Sequence, residues 1–198
     1  MKKLIFTLFA LVFTFGFQAQ NASAQMSGDN MSGNKMMNGN PMVGGAAMFK
    51  NKDIIDNAVN SKDHTTLVAA VKAAGLVETL KGKGPFTVFA PTNSAFDALP
   101  AGTVETVLRP ENKAMLTKVL TYHVVAGKMD SKAIMKAIKK GNGRAMLTTV
   151  SGDTLTASMS GNTLVLTDEK GGMSRVTIAN VKQSNGVIHV VDTVLMPS

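Results

Sequence analysis

The sequence predicts an α+β fold, and three observations predict it. Apolar residues recur at helical spacing through the middle of the chain, in short segments that end at Gly or Pro. The last third changes to short runs rich in Val, Thr, Leu and Ile, separated by turn pairs. Strands and helices do not alternate as a parallel-sheet enzyme would require; helices come first and an antiparallel meander last.

The chain opens on a segment that precedes the fold. Lys2 and Lys3 are followed by an apolar run from Leu4 to Phe17, then by Ala22-Ser23-Ala24. A basic start, a short apolar run and small residues before a cleavage point form a secretory signal peptide, over residues 1–24. The run is shorter than the ~20 residues needed to cross a bilayer, so a retained membrane anchor is the weaker reading. Cleavage after Ala24 leaves 174 of the 198 residues. No cysteine follows, so an exported chain is held together by its core alone, in a periplasm or on a cell surface. Residues 25–47 are rich in Met, Gly, Asn and Ser, without helical or strand period, and read as a flexible tether.

The domain is expected over residues 48–198. Asp53 to Val59 reads as a short helix and Thr65 to Ala74 as a second, stopped by Gly75. Leu76 to Leu80 adds a turn. Phe86 to Ala90 has strand chemistry and Pro91 ends it, so that Thr92, Asn93 and Ser94 can cap a helix through Phe96. Thr103 to Leu108 is another short helix. Pro110 starts the next, which is expected to carry Met115, Leu116, Val119 and Leu120 on one face. A strand over Tyr122–Val125 follows, then a helix capped by Ser131 and running to Lys140. Strands are expected over 145–150, 154–159, 163–167, 175–182 and 187–195, the last two joined through Asn185-Gly186.

Three segments carry a resemblance. Gly84 to Pro100 reads GPFTVFAPTNSAFDALP, Leu120 to Lys128 reads LTYHVVAGK, and Asn185 to Pro197 reads NGVIHVVDTVLMP. In this order and spacing they resemble the two signature boxes and the tyrosine-histidine motif of the fasciclin domain family, over roughly residues 49–198. The resemblance implies a β-wedge or sandwich of about seven strands with several packed helices. It implies an exported, non-catalytic module for adhesion at the cell envelope or in the extracellular matrix, with a surface protein, matrix protein or polysaccharide as partner. It marks Thr87, Phe89, Pro91, Thr92, Asn93, Phe96 and His189 as structural motif residues. Tyr122, His123 and Asp192 are its binding candidates. Tyr122 is open to two placements: an exposed interface anchor, or a buried residue holding the helix–strand junction. His123 and His189, flanked by Val and Ile, read as satisfied core histidines.

The remaining chemistry is thin. Without cysteine there is no thiol nucleophile and no thiolate metal site. His64, His123 and His189 lack partners at metal-ligand spacing. No phosphate-binding glycine loop and no Gly-x-Ser-x-Gly elbow occurs, so no cofactor and no catalytic residue is expected. The rival to adhesion lies in the tether. Met26, Met31, Met36, Met37 and Met42 offer soft thioethers that suit Cu(I), set against a plain polar linker that tolerates methionine. After cleavage the chain keeps 19 Lys plus Arg against 13 Asp plus Glu. The lysines look scattered, and the excess reads as an aid to solubility; base-stacking aromatics are missing, which argues against nucleic acid.

Overall fold

The computed structural model describes residues 36, 37 and 39–198. The signal segment 1–24, and Met26 and Met31 of the expected tether, lie outside the described residues. The described part of that tether, residues 36, 37 and 39–47, is not plain linker. Strands β1 (Met36–Met37), β2 (Asn40–Val43) and β3 (Ala46–Ala47) form a small antiparallel sheet, Met36 opposite Pro41 and Val43 opposite Ala46. The boundary at residue 48 is therefore corrected: the buried core begins at Val43, with Met48 beside it. Gly39, Gly44 and Gly45, which looked like flexibility, are turn residues. Gly44 has a φ of 56°, and its carbonyl accepts the Lys62 N–H at 3.0 Å, pinning the β2–β3 turn to the domain.

Seven α-helices and two strands follow before the meander. Helices α1 (Ile54–Ala58), α2 (Thr65–Ala74) and α3 (Val77–Lys81) precede strand β4 (Phe86–Pro91). Helices α4 (Asn93–Asp97), α5 (Thr103–Val107) and α6 (Lys113–Tyr122) lead to strand β5 (Val124–Ala126), and α7 spans Ser131–Lys140. Asp53 caps α1 by accepting the Asp56 N–H. Asp130, one residue before the expected cap, does the same for α7 through the Ala133 N–H. Thr92 stands at the N-cap of α4 without a side-chain cap bond. Gly75 ends α2 in the left-handed conformation, as expected.

Five strands complete the chain: β6 (Arg144–Thr148), β7 (Thr154–Ser160), β8 (Thr163–Thr167), β9 (Met173–Gln183) and β10 (Gly186–Val191). With β4 and β5 they form one seven-stranded sheet in the order β5-β4-β10-β9-β8-β7-β6. A bridge between Val125 and Thr149 joins the first strand to the end of the last, so the sheet curls into a nearly closed barrel. One pairing departs from the expected meander: β10 lies parallel to β4, Val187 opposite Thr87 and His189 opposite Phe89. The β9–β10 hairpin pairs Gln183 with Gly186, putting Ser184 and Asn185 in the turn. Strand β10 ends at Val191, short of the expected Leu195.

The pleat of β4 and β10 separates two cores. Val88, Ala90, Ile188 and Val190 face the helices, meeting Leu67, Val71, Phe96 and Leu120. Phe89 and Val191 face the barrel interior, meeting Leu155, Leu166 and Ile134 of α7. Each such fully buried side chain contributes about 1.5–3 kcal/mol. Both faces of these two strands are thus committed to packing, which leaves function to the loops, helix faces and outer strands.

Candidate functional site

The tyrosine-histidine pair sits where α6 ends. The expected strand over Tyr122–Val125 is corrected: Tyr122 is the last helical residue, and the strand begins at Val124. The local reason is in the rings. The His123 Nδ1–H donates to the Val119 carbonyl one turn back at 2.8 Å, and the His123 backbone N–H reaches Leu120. Both bonds extend the helix end rather than release it into a strand. The Leu195 N–H donates to His123 Nε2 at 3.1 Å, so the ring is the neutral tautomer, bonded at both nitrogens. Burial pushes its pKa down against the opposing pull of the Val119 carbonyl and Asp168.

Tyr122 is wholly buried. Its hydroxyl donates to the Thr154 carbonyl at 3.0 Å and accepts the Glu169 N–H at 3.3 Å. Burial raises the phenol to about 12, and the carboxylates of Asp168, Glu169 and Asp153 add to the rise. Of the two placements open to it, Tyr122 takes the internal one. Tyr122 and His123 are therefore corrected as surface binding residues: together they tie α6 to β7, to the β8–β9 turn and to the C-terminal segment. Asp192 is exposed, but its Oδ1 accepts the Arg175 N–H at 2.8 Å and the Thr193 hydroxyl at 3.0 Å. It lies apart from the pair in role: a surface turn residue with one carboxylate oxygen left over.

The other motif residues act as latches. The Thr87 hydroxyl donates to the Gly127 carbonyl at 2.7 Å and accepts the Met129 N–H at 2.8 Å. His189 Nε2–H donates to the Met129 carbonyl at 2.9 Å while its ring leans on Phe89, centroids 5.6 Å apart. Thr87 on β4 and His189 on the neighbouring strand β10 thus hold the segment that leads into α7. Asn93 reaches across to α2. Its Oδ1 accepts the Thr66 N–H at 3.0 Å, and its Nδ2 donates to the Lys62 carbonyl. This supplies the cap that α2 lacks in its own sequence, since His64 at its N-cap position makes none. Pro91 closes β4, Thr92 donates its N–H to Val191, and Phe96 is buried in the helical core.

Two latches escaped the sequence reading. Asn185 was expected only as a turn residue, yet its amide donates to the Leu80 and Gly82 carbonyls and accepts the Ile54 N–H. The buried carboxylate of Asp168 accepts the N–H groups of Lys170, Gly172 and Met196. An Asn before Gly and an Asp shortly before Gly-Gly both signalled turns; their distant partners, 28 to 131 residues away, were invisible. An apolar cavity of about 70 Å³ lies under α2, lined by Val43, Ile55, Leu67, Val71, Ile188 and His64. His64 holds Ser61 Oγ at 2.8 Å through Nδ1, and its buried Nε2 has no hydrogen bond.

Among the described residues no group of His, Asp and Glu is placed to hold a metal ion, and no helix is long and apolar enough to cross a membrane. Of the methionines proposed for copper, Met36 is exposed and Met42 is half-buried in β2; Met37 follows Met36 in β1.

The family profile described as Fasciclin domain matches residues 62–197. The chain belongs to the fasciclin domain family. This fasciclin domain is 45% identical over 158 residues to Protein sll1483 of Synechocystis sp., covering 79% of each chain. It is 36% identical over 145 residues to Immunogenic protein MPB70 of Mycobacterium bovis, covering 71% of this chain and 66% of that one. The fold is similar to a FAS1 domain pair from the insect cell adhesion molecule fasciclin I, with a TM-score of 0.65 at 15% identity over 73% of this chain and 51% of that one. The β10–β4 pairing joins the two signature boxes of this family directly, strand against strand.

Proposed function

We propose that this fasciclin domain protein is an exported, non-catalytic binding and adhesion module of the cell envelope or the extracellular matrix, working through its folded surface. One observation carries the reading. The side chains that a catalytic or ligand site would draw on are spent inside the fold: the Tyr122 hydroxyl, both His123 nitrogens, the Thr87 hydroxyl and the Asn93 amide all bond to backbone. What such a domain offers is a rigid outer surface. The similarity of fold to a domain pair from a cell adhesion molecule supports the same reading, and the signal-like first 24 residues support export. The partner is a surface or matrix protein or a polysaccharide.

The test is attachment. The purified protein is expected to sediment with isolated cell-envelope material, and deletion of its gene to reduce aggregation or biofilm. A folded protein that stays in the supernatant, with aggregation unchanged by deletion, sinks the reading. Copper handling by Met26, Met31, Met36, Met37 and Met42 is a separate proposal resting on thioether chemistry alone. Titration of the protein with Cu(I) is expected to saturate at a fixed stoichiometry that is lost when these five become Leu.

A further inference from the structure

Charge is not spread evenly over this domain. Residues 128–144 carry Lys128, Lys132, Lys136, Lys139, Lys140 and Arg144 against the single carboxylate of Asp130. All six cations are exposed. Residues 39–198 hold six more basic than acidic residues, and this one stretch accounts for five of that surplus. The remainder of the domain balances to within one charge. The expectation of scattered lysines is thereby corrected: the rest of the domain is near neutral and one segment is not.

Helix α7 arranges the segment. Ile134 and Ile138 are buried, and at 100° per residue Lys132, Lys136, Lys139 and Lys140 fall on the opposite arc, over about 12 Å of helix. Lys132 with Lys136, and Lys136 with Lys140, stand four residues apart, a spacing at which like charges repel. A face shaped only for solubility would alternate signs; no acidic residue interrupts this one. The four ion pairs among the described residues involve Lys81, Arg109 and Lys118, and none of these six. Asp130 is occupied as the cap of α7. Cations in the last turn complement the helix dipole, which accounts for Lys139 and Lys140 but not for Lys128, Lys132 or Lys136.

The row ends in a surface cleft of about 560 Å³ between α7 and β6, lined by Ala137, Lys140, Gly141, Arg144, Met146 and Thr156. Arg144 brings a planar fork of donors suited to carboxylate or sulfate. Met146, 78% exposed, brings an apolar surface beside it. We propose that α7 and the α7–β6 cleft bind a linear acidic polysaccharide, its anionic groups on the lysine row and one sugar unit in the cleft. The inference rests on the adhesion reading and names the partner class. Residues 128–146 contain no aromatic side chain, which removes base stacking and disfavours single-stranded nucleic acid. A lipid surface would want several apolar side chains projecting beside the cations, whereas Ile134 and Ile138 point inward and Met146 is the single large exposed apolar residue of 128–146.

The experiment uses the purified full chain and defined alginate oligomers, with dextran and anionic phospholipid vesicles alongside. Alginate is expected to bind at low salt, with an affinity that falls linearly on a log–log plot as salt rises; dextran is expected not to bind. Changing Lys132, Lys136, Lys139 and Lys140 to Gln is expected to weaken binding at least tenfold and to flatten the salt slope. Arg144→Gln alone is expected to weaken it several-fold. A control with the same charge change elsewhere, Gln at Lys50, Lys83, Lys170 and Lys182, is expected to change it less than threefold. All nine positions replaced are exposed, and unchanged melting temperatures show that the fold survives. Absent alginate binding, equal loss in the control, or tighter binding to vesicles than to alginate overturns the proposal. Envelope attachment that persists without alginate binding leaves the adhesion reading standing and removes this face; loss of both removes both.

Discussion

At the scale of single residues, the two most conspicuous side chains of the tyrosine-histidine motif are internal. Replacing Tyr122 by Phe keeps the ring and removes the hydroxyl, leaving the Thr154 carbonyl and the Glu169 N–H without their partner. The cost is expected to be about 1–3 kcal/mol, which for a domain of this size is a drop in melting temperature of roughly 2–4 °C per kcal/mol. An unchanged melting curve for Tyr122→Phe would show that water replaces the hydroxyl freely. Asp192→Ala is the contrasting change. Its carboxylate is exposed and serves one backbone N–H and one hydroxyl locally, so a loss below about 1 kcal/mol is expected from thermal melts. Of the three binding candidates, Asp192 is the one whose removal can test attachment without disturbing the core.

At the scale of elements, legibility followed locality. Helix α2 and strand β8 begin and end where their sequences say, because Gly75 stops one and Gly-Asn and Asp-Glu turns bound the other. Tyr122 and His123 look like strand residues by propensity; ring-to-backbone bonds override that preference and keep them at a helix end. The first strands were lost for a related reason. Met, Gly and Asn over residues 36–47 carry no period, and their order comes from what they touch. Val43 and Met48 are buried, Met48 N–H donates to the Pro41 carbonyl, and Lys62 holds Gly44. Removing residues 25–47 is therefore expected to destabilise the domain, by at least the ~1.5–3 kcal/mol of one buried valine. Thermal melts of chains starting at residue 25 and at residue 48 should differ by 5 °C or more. Equal melting temperatures would show that β1–β3 dock without contributing stability.

At the scale of the whole molecule, the sheet order depends on a parallel pair whose strands are about 100 residues apart, which no local pattern announces. The charge surplus of residues 128–144 can be counted in the sequence, but only the fold shows that Ile134 and Ile138 are buried and that the lysines of α7 share the opposite, exposed face. A third property, acid sensitivity, also belongs to the whole. His64, His123 and His189 are all buried, in three different places: under α2, at the end of α6 and on β10. Burial lowers the pKa of each, outweighing the backbone carbonyls and carboxylates that oppose it. Protonating His123 would break the Leu195 bond at Nε2, and protonating His189 would place a charged N–H at the partnerless Nδ1. In the unfolded chain these histidines titrate near 6.5. The folded values lie lower, so as pH falls the unfolded state takes up protons first. The stability they contribute is fully present above about pH 6.5 and is lost as pH falls through the folded values. With three groups the slope reaches at most about 4 kcal/mol per pH unit. Glu169, held low first by the Ser198 hydroxyl, contributes in the same direction only further down, near carboxylate pH. Urea unfolding at pH 7, 6 and 5 is expected to show a falling free energy over this window. Histidine ring resonances of the folded protein are expected to titrate below their values in the unfolded chain. A ring that titrates at 6.5 in the native state, or equal stability at pH 7 and pH 5, would show that the histidines are not held neutral by the fold.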